Sequence, residues 1–118
     1  MDKLEQIFKW QTAFDDELIE KRNLKYSMEE WIQKETLAMM SELAELIDEV
    51  NFKWWKNAKP VEPDKVKEEL VDILHFFISM CHKTGMDADE LYARYMEKNK
   101  ENFARQHGES AKPGYEVK

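Results

Sequence analysis

The chain is 118 residues long, 36% charged and 42% hydrophobic, with only three Gly and three Pro. That length predicts one domain over residues 1–118, with room for a modest core but not for several. A net charge of −7 argues against a nucleic-acid backbone as the main partner. It leaves open a small anionic substrate, because a bound metal inverts the local sign. The single cysteine, Cys81, lies in an apolar run, so no intrachain disulfide is possible and a buried thiol in a reducing compartment is expected. No apolar signal region opens the chain and no stretch approaches a membrane span, which predicts a cytoplasmic protein without a membrane partner.

The scarcity of chain breakers predicts an all-α fold, an antiparallel bundle of about four helices. The first helix is read from roughly Asp2 to Arg22, with Leu4, Ile7, Phe8, Phe14, Leu18 and Ile19 as its apolar stripe. Ser27-Met28-Glu29-Glu30 has the capping-box pattern and opens a second helix, expected to fade within Asn51–Asn57. Two prolines in Ala58-Lys59-Pro60-Val61-Glu62-Pro63 mark a loop. Asp64 is the expected N-cap of a third helix that runs to about Lys83 and stops at Thr84-Gly85. Asp87, with Glu90 three residues on, opens a fourth helix to about Gln106. Gly108, Pro113 and Gly114 make 107–118 an irregular tail.

The chemistry sits in two acidic motifs, Glu42-Leu-Ala-Glu45 and Glu69-Leu-Val-Asp72. Carboxylates three apart on a helix project from nearly the same face. Two such pairs, brought together by a helical hairpin, form a cage of oxygen ligands suited to a hard divalent cation such as Mg2+. On the second helix a solvated acidic edge fits equally well, because the apolar arc (Met39, Met40, Leu43, Leu46, Ile47, Val50) begins beside Glu42 and runs away from it. Glu49 falls in line with Glu42 and reads as an extra ligand or a surface acid. The third helix is different. Glu69 shares its face with Ile73, Phe76 and Met80, and a Glu among such neighbours must be paired, protonated or bound to a metal. Asp72-Ile-Leu-His75 also has half of a di-iron motif, but no second acid-x-x-His occurs, and His75 reads as a core histidine or a group behind the ligands.

Glu42-x-x-Glu45 followed by Glu69-x-x-Asp72 resembles the signature of the all-α nucleoside triphosphate pyrophosphatases, a superfamily that includes the MazG-like enzymes and the dimeric dUTPases. Further stretches are similar to the dimeric-dUTPase branch: Phe52-Lys53-Trp54-Trp55-Lys56 after the first motif, and Ile73-Leu74-His75-Phe76 after the second. So are Tyr95-x-x-Lys98-Asn99-x-x-Asn102-x-x-Arg105-Gln106, with Gly114-Tyr115 beyond it, and Gln11 with Asp15 near the start. The order covers nearly the whole chain.

The resemblance implies hydrolysis of a nucleoside triphosphate between its α- and β-phosphates, with dUTP as the first expectation and a broader (d)NTP range as the alternative. It implies Mg2+, or Mn2+, held by Glu42, Glu45, Glu69 and Asp72, with Glu45 also deprotonating the attacking water. Lys98, Asn102, Arg105 and Tyr95 would hold phosphates. Gln11 would read the base, and Trp54 or Trp55 would stack on it. Lys98 and Arg105 do share a helical face with Asn102 between them, although a solvated cationic face has the same spacing. Because the better-known members carry extra helices, a homodimer or homotetramer is expected to complete the site. Outside enzymes, the remaining reading is a helical interaction module with solvated acids.

Overall fold

The computed structural model describes residues 1–117. Four helices and no strand occur among the described residues: α1 (Lys3–Arg22), α2 (Met28–Asp48), α3 (Pro63–Lys83) and α4 (Ala88–Gln106). The chain divides into two compact units, Met1–Gly85 with α1 to α3, and Met86–Lys118 with α4. None of these helices is long and apolar enough to cross a membrane.

Local chemistry explains most of the helix ends. Asp2 caps α1 by accepting from the Glu5 N–H at 2.8 Å, and that bond holds the Asp2 carboxyl below its usual value. Ser27 and Glu30 form the expected capping box, each side chain accepting from the other's backbone N–H at 3.2 and 3.3 Å. Removing the Ser27 hydroxyl as Ser27→Ala is expected to cost about 1 kcal/mol, read as a lowered thermal midpoint. Asp87 caps α4 through the Glu90 N–H at 2.8 Å, as its spacing predicts.

Two boundaries differ from expectation. The second helix ends at Asp48 rather than within Asn51–Asn57, and Asn51 then turns the chain with a left-handed φ of 60°. The third helix starts at Pro63, not after an Asp64 cap. Proline suits the first position of a helix because its missing N–H would have no partner there.

Within the first unit α3 packs against both α2 and α1. Glu35 meets Ser79 and Lys83, whereas Glu42 meets Glu69 and Asp72, so α2 and α3 run antiparallel. Gln11 meets His75 and Asp15 meets Ser79, so α1 runs in the same direction as α3. The apolar stripe expected of α1 divides on this packing. Phe8 is buried and Leu4, Leu18 and Ile19 are half-buried, but Ile7 and Phe14 are exposed. Polar residues, Gln11 and Asp15, take two of the three buried positions of α1. Cys81 is buried and free, and its thiol is pushed up by that burial, in line with an inert structural role.

Candidate functional site

The antiparallel register of α2 and α3 brings Glu42, Glu69 and Asp72 together, each offering a carboxylate oxygen within 4.8 Å of the others. Glu42 Oε2 and Glu69 Oε2 are covered from solvent and have no hydrogen-bond partner. Oxygens buried in that way are costly unless something satisfies them. The electrostatics point the same way. Burial, then the charge of Glu45, raises the Glu42 carboxyl above its ordinary value. Glu69 rises to about 7, through burial first, then the Glu45 charge. A set of hard oxygen donors with two orphaned lone-pair sites fits a divalent cation of the Mg2+ kind.

Glu45 stands outside this tight trio. It lines a cleft of about 340 Å3 with Glu69 on its acidic side, where Glu49 and Asp48 also lie. Lys53, Lys56 and Lys59, from the loop after α2, line the same cleft. In that loop Trp54 and Trp55 form an edge-to-face pair 4.6 Å apart and stay largely exposed, at 84% and 61%. Their rings are thus free for a ligand or a partner.

Gln11 is covered and engaged within the protein. Its Nε2 donates to Asp15 Oδ1 at 3.0 Å, and its Oε1 lies 2.6 Å from His75 Nδ1. A carboxylate oxygen only accepts, which orients the amide and requires His75 to carry its proton on Nδ1. His75 is therefore a partner of Gln11.

A buried polar network continues from Asp15, and most of it was not anticipated from sequence. Ser79 Oγ lies 2.6 Å from both Asp15 Oδ2 and Glu35 Oε1, and Lys83 Nζ lies 2.7 Å from Glu35 Oε1 and 3.0 Å from Ser79 Oγ. The Lys83 ammonium also sits 3.6 Å above the Trp31 ring. Glu35 and Ser79 each stand seven residues from Glu42 and Asp72, about 10 Å along their helices, so the network forms a separate layer. The available signal was this heptad offset, which repeats the face of the acidic motifs.

Tyr95, Lys98, Asn102 and Arg105 all lie on α4 in the second unit. Tyr95, Lys98 and Asn102 are exposed, while Arg105 is half-buried. Arg105 Nε donates to Glu101 at 3.0 Å, and its guanidinium is 5.4 Å from the Tyr115 ring. The described tail, 107–117, is irregular, as expected, and Ser110 folds back to donate to Glu101 at 2.6 Å. Ser110, then Arg105, holds the Glu101 carboxyl below its ordinary value.

Residues 3–84, the span of α1 to α3, match the family model described as dUTPase. The chain belongs to the dUTPase family. The matched stretch contains Gln11, both acidic motifs and the tryptophan loop, and leaves α4 outside it. Among curated proteins, the chain is similar to a dCTP pyrophosphatase of Enterobacteria phage LZ5, 35% identical over 74 residues, or 63% of this chain and 43% of the relative. It is also similar to a dCTP pyrophosphatase of Enterobacteria phage T4, 47% identical over 47 residues, or 40% of this chain and 28% of the relative. The chain thus spans less than half the length of these curated relatives. No solved structure matches it significantly.

Proposed function

We propose that the protein is a metal-dependent pyrophosphohydrolase of a deoxypyrimidine nucleoside triphosphate, releasing the nucleoside monophosphate and pyrophosphate. The observation that carries this reading is the trio of Glu42, Glu69 and Asp72 with its two orphaned buried oxygens, set in the segment that matches the dUTPase family. Glu42, Glu45, Glu69 and Asp72 would hold Mg2+ or Mn2+. Such an ion supplies charge neutralisation of the triphosphate and of the phosphoryl group under attack.

The chain's own residues do the rest. Glu45, displaced into the cleft, takes the proton of the attacking water as its oxygen bonds to the α-phosphorus. The bond from that phosphorus to the bridging oxygen breaks, and pyrophosphate leaves with its electron pair. Lys98, Asn102, Arg105 and Tyr95 on α4 bind phosphate oxygens, Arg105 exchanging Glu101 for the substrate. Gln11, oriented by Asp15 and His75, presents its remaining N–H to the base, and Trp54 or Trp55 offers a stacking face.

The family supports dUTP as substrate, and the two phage relatives named dCTP pyrophosphatase support dCTP as a second reading. Pyrophosphate release from dUTP, dCTP, dTTP, dATP, dGTP and UTP with Mg2+ separates them. Turnover confined to dUTP or dCTP fixes the base. Turnover of purine nucleotides at similar rates moves the protein to a broad MazG-like role, and no release from any nucleotide defeats the hydrolase reading.

A homodimer or homotetramer is part of the same proposal. Leu37, Met40, Leu43 and Ile47 on α2 and Leu70, Leu74 and Phe77 on α3 are exposed, each 40% or more. Apolar area of that extent ordinarily marks an interface.

A further inference from the structure

The loop between α2 and α3 has a construction that the acidic cluster alone does not explain. Asn51, in its left-handed conformation, grips the backbone of Lys59 at both ends: the Lys59 N–H donates to Oδ1 at 3.0 Å, and Nδ2 donates to the Lys59 carbonyl at 2.8 Å. The side chain thereby ties the two ends of an eight-residue step, as in a closed surface loop. Lys53, Lys56 and Lys59 are spaced three apart on this loop, and all line the cleft, whereas Trp54 and Trp55 do not. Lys53 is neutralised by Asp48 at 3.3 Å. Lys56 and Lys59 make no ion pair among the described residues, although Glu45, Glu49 and Glu69 line the same cleft.

We propose that Lys56 and Lys59, held at the cleft by the Asn51 clasp, bind the terminal diphosphate of the substrate, the part that leaves as pyrophosphate. The inference rests on the hydrolase reading above and adds a second phosphate-binding element to the one on α4. The lining of the cleft selects the ligand class. It contains carboxylates, lysines and two asparagines but no aromatic ring, so a nucleobase finds no stacking partner there. A polyphosphate finds two ammonium groups, each able to give several hydrogen bonds to phosphate oxygens. The cleft also shares Glu69 with the acidic trio, so an anion in it lies next to the groups that fit a cation.

The test is calorimetric binding of inorganic pyrophosphate, in the presence of Mg2+, to the full chain and to two variants. Lys56→Gln with Lys59→Gln is expected to weaken pyrophosphate about 10-fold or more, because each change removes a charge-assisted hydrogen bond. The KM for the triphosphate should rise by a similar factor, while the nucleoside monophosphate binds as before. Asn51→Ala keeps every charge but opens the clasp, and it too is expected to weaken pyrophosphate. Wild-type affinity for pyrophosphate in either variant, with the Mg2+ dependence of the melting temperature retained, overturns the proposal. Equal weakening of the monophosphate also overturns it, since that reports a general loss of charge. Absence of turnover by the wild-type chain instead defeats the hydrolase reading, so the two failures are distinct.

Discussion

Glu69→Gln is expected to lower pyrophosphate release by about 100- to 1,000-fold or more, the range for losing a preorganised electrostatic partner of the reacting group. The same substitution is expected to raise the melting temperature of the metal-free protein at pH 8. Linkage supplies the sign. The Glu69 carboxyl has an ordinary value of 4.5 and is raised to about 7 in the folded chain. Between those two values the folded state holds more protons than the unfolded state, so the stability of metal-free protein falls as pH rises from 4.5 to 7 and stays reduced above 7. Glutamine cannot ionise and carries no such slope. Mg2+ should restore the wild-type chain above pH 7 by binding the folded state alone, and the variant should lose most of that gain. Thermal denaturation at pH 5 and pH 8, with EDTA and with Mg2+, reads all four values. A variant less stable than wild type at pH 8 in EDTA would mean that Glu69 is a structural ion-pair partner, and the metal reading would fall.

The second large effect belongs to the buried network. Lys83→Met should destabilise the chain by about 3–5 kcal/mol, the range for breaking a buried ion pair from one side. Lys83 is 9% exposed, and Asp15 and Glu35 are 6% and 9% exposed, so removing the ammonium leaves two largely covered carboxylates without their cation. Methionine fills most of the space of the aliphatic stem, which keeps the effect electrostatic. Adding Glu35→Gln should recover part of the loss, because it removes one of the stranded charges. A denaturant double-mutant cycle measures that coupling. Two purely additive penalties would show that the ion pair contributes nothing beyond packing.

The outer limits of the site were legible because they depend on local rules. The three-residue spacing of Glu69 and Asp72, with Glu69 on the apolar face of its helix, placed both at the cluster, where the structure also finds Glu42. Glu45 has the same spacing from Glu42, yet it lies in the cleft rather than in the trio. Helical periodicity places a residue on a face to within a few tens of degrees, and that is too coarse to separate a place in the tight trio from one beside it. The apolar stripe read on α1 failed for a related reason. Ile7 and Phe14 are exposed while Gln11 and Asp15 are buried, because the packed face of α1 is chosen by polar partners on α3 that lie 64 residues away.

By itself the sequence determined the all-α class, the capped starts of α2 and α4, and the three-residue spacing within each acidic motif. Each of these is settled within one or two helical turns, by hydrogen bonds three or four residues long and by side-chain spacing. Only the tertiary structure decided that α1 runs parallel to α3, that Ser79 joins Asp15 to Glu35 and Lys83, and that Asn51 clasps Lys59. Those arrangements depend on the rotation and register of each helix against its neighbours. The buried polar pairs select that register, because a slip of one residue would strand a charge that packing alone would tolerate.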